Sequence, residues 1–368
     1  MRLVPSQEES DLAAMLRDLL GDHCPTDLVR ELRKPGADRF PERLWKELTR
    51  AGMLGLPFAE RYDGAGGGLA EVGVLAREAG RALCPSVVLG TLGFGLVLDA
   101  LGDDEIRARH LPEVARGELR GVAAVASPWD AEDLTPTLSA TRSGDAWQVS
   151  GVVRYVVDAD LADLVLATAT TSDGQTVGVL LRPGGTATVE RLTTSAGDRY
   201  ARLHVDATLA ATDVVVGFAE DDLRRAAHVQ RVLSCLELVG VAEAILDRTV
   251  DYTRGREQFG RAIASFQAAQ HLVADIHIDV QAARLSAQSA AYWLGRGEVA
   301  TRQTAVAVVH AAQAGRRASL DAHQLHGGMG YVLETDLHLW SERARELSVL
   351  GGGVDVATGW LEREVVDA

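Results

Sequence analysis

The 368-residue chain carries 37 Lys+Arg against 52 Asp+Glu, a formal charge of −15, and is 47% apolar and 24% charged. That balance suits a globular protein whose core is split among two or three packed units. The acidic excess argues against nucleic acid or an anionic membrane surface as partner, because both need a basic face. A small molecule bearing phosphate stays open, since a few local arginines can hold one.

Lys34 and Lys46 are the lysines, so the positive charge is nearly all arginine, and a Schiff-base or P-loop lysine has almost nowhere to sit. Cys24, Cys84 and Cys235 form no CxxC pair and no metal-finger spacing, which predicts a reducing cytoplasm. The start, MRLVPSQEESDL, turns polar within a few residues and does not read as a signal peptide. The longest apolar run, Val87 to Leu98, is too short to span a bilayer, so a cytoplasmic protein is expected.

The first third reads as helices. Leu12, Met15, Leu16 and Leu19 recur at helical spacing within 11–20, and Leu44 and Leu48 do so before Gly52. Further helices are expected over 69–83, 91–101 and 105–110, the last capped by Asp103. From about Arg120 to Phe218 the pattern changes to Val, Thr and aromatic runs broken by Ser143-Gly144-Asp145 and Ser172-Asp173-Gly174. An antiparallel sheet module is predicted there. Long Ala-rich helices without proline return over 229–254, 265–294 and 301–323, and small residues let such helices pack closely. The expected architecture is therefore α+β and multidomain. An all-helical domain occupies 1–119, an antiparallel β domain 120–225 and a four-helix bundle 226–368.

Several features that invite chemistry read more simply as structure. Gly64-Ala65-Gly66-Gly67-Gly68 has no preceding hydrophobic strand and no acidic residue where a ribose contact would need one, so it reads as a turn before a helix. His271 and Asp275 share a helical face, but His277 does not, and His323 and His326 fall at a helix end. No metal site follows from either set. Nothing resembles a nucleophile elbow or a reactive-cysteine signature.

Two segments say more. Arg254-Gly255-Arg256-Glu257-Gln258-Phe259-Gly260 is followed by Ile263, Phe266 and Gln267. Far downstream lies Gln324-Leu325-His326-Gly327-Gly328-Met329-Gly330-Tyr331. An arginine at a helix terminus followed by a glycine-closed turn and a glutamine suits a diphosphate held from the side. Paired glycines let a ligand approach the backbone. Each segment alone is a helix stop and a tight turn. Together, in this domain order, they resemble the acyl-CoA dehydrogenase family. Leu54-Gly55-Leu56-Pro57, Tyr62-Asp63-Gly64-Ala65-Gly66-Gly67 and Glu78-Ala79-Gly80-Arg81-Ala82 also match that family, so the resemblance covers nearly the whole chain.

The resemblance implies FAD as cofactor, an acyl-CoA-type thioester as substrate and an electron-transfer acceptor. The flavin lies between the β domain of one subunit and the C-terminal helices of another. On that basis Arg256, Phe259, Phe266, Gln267, Gln324, Gly327 and Gly328 would hold the diphosphate and adenosine end across the interface. The reaction removes a weakly acidic proton beside a thioester, which calls for a carboxylate base. The two positions that host it in the family fall here on Gly351 and Gln230, and neither residue can accept the proton. Gly353 replaces the flavin-contacting threonine of the same segment. The family's flavin loop becomes Ala126-Ser127-Pro128-Trp129-Asp130-Ala131-Glu132-Asp133, and its flavin-facing strand becomes Tyr155-Val156-Val157, where Val157 has no hydroxyl. Elements serving the chain's own flavin are degraded, whereas those reaching into a neighbour's are kept. The pattern resembles the base-lacking subunit of the family's heteromeric bacterial enzymes, with a second acyl-CoA dehydrogenase subunit as partner. Two alternatives stand beside it: a homomeric enzyme with a displaced base at Glu346 or Asp355, and a non-redox scaffold that binds acyl thioesters.

Overall fold

A computed structural model describes residues 4–34, 40–192 and 200–366, so the first three residues of the polar start lie outside it. The helical block comprises α1 (Gln7–His23), α2 (Thr26–Leu32), α3 (Glu42–Arg50), α4 (Leu69–Ala82), α5 (Ser86–Leu101) and α6 (Asp104–Ala115). Helices α1 and α6 begin where side chains satisfy the orphan amides of a first turn, whereas α2, α3 and α5 start behind a proline. Ser6 Oγ accepts from Glu9 N while Glu9 returns a carboxylate to Ser6 N, and Asp103 accepts from Ile106 N at 2.8 Å, as its expected capping role requires.

The middle block is a sheet of β1 (Gly121–Ala124), β2 (Leu138–Ser143), β3 (Ala146–Val157), β4 (Leu164–Thr171), β5 (Thr176–Leu181), β6 (Ala187–Leu192), β7 (Tyr200–Ala210) and β8 (Val214–Val215). Neighbours run β6-β7-β3-β2-β4-β5-β8. The expected antiparallel pairing holds except along one edge of β4, where β1 and β2 both run parallel to it. A long loop joins β1 to β2, so the two strands lie end to end against β4, where a hairpin would have reversed the chain. That loop, residues 125–137, becomes one wall of the site.

Helix α7 (Glu220–Gly255) begins within the span assigned to the β domain, so the expected division at 225/226 falls inside a continuous helix. The cause is local: Asp222 caps the amide of Ala219, and Glu220, Asp221 and Asp222 complement the helix dipole. A two-stranded hairpin, β9 (Glu257–Gln258) and β10 (Arg261–Ala262), follows. Then come α8 (Gln267–Leu294), α9 (Thr301–His326), α10 (Leu337–Val349) and α11 (Gly353–Val366). Buried alanines stack along the faces of α8 and α9, among them Ala283, Ala287, Ala307, Ala311 and Ala318. Small side chains bring these helices close, and the predicted C-terminal bundle forms around α7.

Glycine decides how the first and last blocks meet. A Cβ at Gly80 would lie 2.0 Å from the carbonyl oxygen of Glu237, and one at Gly240 would lie 1.8 Å from that of Arg77. Helices α4 and α7 therefore cross backbone to backbone. Glu78, 1% exposed, sits beside this crossing and is paired with Arg17 at 2.9 Å and Arg77 at 3.0 Å. No helix among the described residues is long and apolar enough to cross a membrane.

Candidate active site

Helix α7 presents Gln230, Ser234 and Glu237 on one face, with Arg231 beside them, because residues three and four apart lie one above the other. Helix α10 presents Arg343, Glu346 and Leu347 by the same spacing. With α5, strand β1, the 125–131 loop and the end of β3, they enclose a cavity of about 220 Å³ that Gln230 and Gly351 both line. The two expected base positions, 121 residues apart in sequence, thus face one space.

Neither offers a proton acceptor of the required kind. Gln230 Nε2 donates to the carbonyl of Ala123 at 3.1 Å, tying α7 to β1. Gly351 is buried in the left-handed region (φ 67°), and its N–H donates to Pro128 O at 2.9 Å. A Cβ at Gly351 would lie 3.2 Å from Arg231 Cδ and 3.4 Å from its Nε, so the arginine side chain occupies the space beside the glycine.

The carboxylates that do line the cavity are engaged. Arg343 pairs with Glu237 at 2.7 Å and with Glu346 at 2.8 Å, and Tyr200 donates its hydroxyl to Glu346 at 2.5 Å. Asp355 is exposed on α11 and does not line the cavity. Arg231 is the contrasting cation. It is 4% exposed, its terminal nitrogens both reach the Leu347 carbonyl at 3.3 and 3.4 Å, and its Nε has no partner. Burial pushes its pKa down, opposed only by the nearby Cys235 thiol.

The loop that resembles a degraded flavin loop is clasped to the same chain's C-terminal helices. Trp360 Nε1 donates to Asp130 at 2.9 Å, and Glu132 pairs with Arg224 at 3.2 Å and lies 2.5 Å from the fully buried His228. Burial alone would raise the Glu132 pKa, but His228 and Arg224 outweigh it and hold the carboxyl below its usual range. A Cβ at Gly352 would lie 2.4 Å from Trp129 O, so only glycine lets the two loops approach. The Trp129 and Tyr155 rings meet edge to face at 4.8 Å, with Trp129 half exposed and Tyr155 in a positive-φ conformation at a break in the β3–β7 register. Val157 lines the cavity without a hydroxyl.

The residues expected to hold FAD lie elsewhere, and none lines this cavity. Arg256, Gln267, Gln324, Gly327 and Gly328 are exposed, and Phe259 is 93% exposed with its ring edge on Phe266 at 6.2 Å. Tyr252 joins the two segments: its ring stacks on His326 at 4.2 Å, bringing the end of α7 to the end of α9. Among the described residues, the side chains of Arg256, Gln267 and Gln324 make no hydrogen bond or ion pair within the chain, which leaves their donors open to phosphate oxygens from outside.

The other sequence candidates lie apart from this cavity. His271 and Asp275 lie exposed on α8, where Arg317 approaches Asp275 at 4.0 Å, while His277 lines a different hollow. His323 is hydrogen-bonded to Ser341, and His326 to the carbonyl of Ala322. A Cβ at Gly64 would lie 2.0 Å from Phe58 O, so the glycine run folds tightly on the preceding turn. Sequence reasoning missed Tyr200, Glu237 and Arg343. The one available signal was charge on the otherwise apolar face of α7, at Arg231 and Glu237.

Comparison with known proteins agrees with this architecture. Residues 6–118 match the model for the acyl-CoA dehydrogenase N-terminal domain, and residues 222–365 match that for the C-terminal domain. The acyl-CoA dehydrogenase IpdE2 of Mycobacterium tuberculosis is 31% identical over 344 residues, covering 93% of this chain and 92% of the relative. A chain of the ChsE4–ChsE5 complex from Mycobacterium tuberculosis superposes with a TM-score of 0.91 at 26% identity, covering 100% of both chains. A chain of a Tcur3481–Tcur3483 steroid ACAD variant does so at 0.89 and 28%, covering 98% of both. Matched helical domains flank the sheet, and a relative aligns over almost its entire length: the chain belongs to the acyl-CoA dehydrogenase family.

Proposed function

We propose that this chain is the base-lacking subunit of a hetero-oligomeric, FAD-dependent acyl-CoA dehydrogenase that oxidises an acyl thioester across its α,β bond. The observation that carries the reading is the state of the cavity. Gly351 and Gln230 supply no carboxylate, and Glu237 and Glu346 are both engaged by Arg343. A cavity of about 220 Å³ is also below the roughly 300–1,000 Å³ of pockets that bury ligands of drug size, let alone a flavin ring with an acyl chain. Two solved structures similar to this chain bear paired names, ChsE4–ChsE5 and Tcur3481–Tcur3483, the second a steroid ACAD, which favours a two-chain enzyme of steroid or lipid degradation.

The chemistry that FAD would supply, when bound, is a hydride acceptor for the β carbon. This chain's part is to hold the cofactor in its partner's site. Arg256 and Gln267 would ligate the diphosphate, Phe259 and Phe266 would cover the adenosine end, and Gln324 with the exposed backbone at Gly327 and Gly328 would complete the cradle. The partner supplies the carboxylate that takes the α proton, and a separate electron-transfer protein reoxidises the flavin.

The test is flavin stoichiometry. The chain purified alone is expected to carry almost no FAD and no dehydrogenase activity. Co-expressed with an acyl-CoA dehydrogenase subunit that retains the base, it should yield about one FAD per pair of chains and turnover with an acyl-CoA. Full FAD occupancy and turnover by the chain alone would sink the proposal.

A further inference from the structure

We propose that the cavity beside Gly351 is a carboxylate-binding site with Arg231 as its receptor. Three arginines line this cavity: Arg154 is exposed, and Arg343 and Arg231 stand in opposite circumstances. Arg343 faces two carboxylates, Glu237 and Glu346. Arg231 is 4% exposed and, among the described residues, has no carboxylate within ion-pairing distance. Its two terminal nitrogens share one long contact to the Leu347 carbonyl, and its Nε–H has no acceptor. A guanidinium carries five donors and keeps its charge, and buried cations are otherwise paired. The partner that Arg231 lacks is an anion.

The surroundings fit a carboxylate carried on a short apolar chain. Leu89, Gly90, Gly93, Val122 and Ala124 supply an apolar wall with little side-chain bulk. Residue 351 has no side chain to crowd the Arg231 Nε, since a Cβ there would lie 3.4 Å from it. Both native carboxylates are engaged by Arg343. Planar, two-pronged recognition by Arg suits a carboxylate. The ligand is a free carboxylic acid or an acyl thioester with a carboxylate at its far end, and the site does not depend on the subunit role proposed above.

The experiment is calorimetric titration of the full chain with hexanoate and with its neutral isostere hexanamide. Hexanoate is expected to bind, with hexanamide weaker by about tenfold to a hundredfold, the range of a charge-assisted hydrogen bond. Arg231→Gln should abolish that preference, whereas Arg231→Lys should keep it at lower affinity. If Arg231→Gln does not fold, the preference in the native chain together with its survival in Arg231→Lys carries the assignment. Adipoyl-CoA compared with hexanoyl-CoA separates the sources: tighter binding of adipoyl-CoA identifies a carboxylated thioester, and binding of hexanoate without that difference identifies a free acid. Equal binding of hexanoate and hexanamide, no binding of either hexanoate or adipoyl-CoA, or an undiminished preference in Arg231→Gln would overturn the site.

Discussion

Arg343 governs whether any carboxylate in the cavity can act as a base. Glu346 accepts from Arg343 at one oxygen and from Tyr200 at the other, so both oxygens are engaged. Its role is to complete a buried polar network with Glu237, as in other interiors where charges persist only when paired. Glu346→Gln should therefore cost about 1–3 kcal/mol of stability, the penalty for weakening a buried charged contact. It should leave turnover of the assembled enzyme within about threefold, far short of the roughly hundredfold or more expected for loss of a general base. Denaturant titration and steady-state kinetics on the same variant check both halves, and a collapse of turnover would restore Glu346 as a displaced base.

At the level of elements, the crossing of α4 and α7 sets the position of every α7 side chain in the cavity. Gly80 and Gly240 are the reciprocal contact points, and Gln230, Arg231 and Glu237 follow within three turns of that crossing. Gly240→Ala would drive a methyl into the Arg77 carbonyl and force the helices apart. The expected loss is about 3 kcal/mol, read as a lowered denaturation midpoint, because overpacking a backbone contact cannot be relieved by a rotamer change. The helices themselves were legible from periodicity, and Asp103 was legible as a cap. The parallel run of β1 and β2 along β4 was not, because the alternation that marks a strand carries no information about its neighbour's direction. The start of α7 at Glu220 was missed for a related reason. Its first turn is polar and capped by Asp222, so apolar spacing becomes visible only from Val229 onward.

For the whole molecule, the chain shows two surfaces of opposite character. Inside, the loop after β1 is tied to α11 by Trp360 and Asp130, and the glycine loop at 351–353 lies against it. Outside, Phe259 stands 93% exposed on the turn of a hairpin that begins beside the exposed Arg256. An aromatic ring left in water at that degree contributes little to folding, and its value must lie in contact with something else. Phe259→Ala should change the stability of the isolated chain by no more than about 0.5 kcal/mol. The same variant, co-expressed with a base-bearing subunit, should lose FAD from the purified assembly. Thermal unfolding and flavin absorbance measure the two effects separately, and unchanged flavin content would remove Phe259 from the cofactor edge.

Sequence alone determined the order of helical, sheet and helical blocks, because that order is written in local periodicity and turn chemistry. It also determined which residues stand at 230 and 351, and hence that neither is a carboxylate. Only the tertiary structure decided what surrounds those positions. Gln230 is spent on a strand carbonyl, Glu237 and Glu346 are held by one arginine, and Arg231 fills the space beside Gly351 with an unanswered charge. These facts depend on residues more than a hundred positions apart meeting in one small volume. No local pattern encodes such a meeting; it follows from how the long helices cross and how the loop after β1 folds back on them.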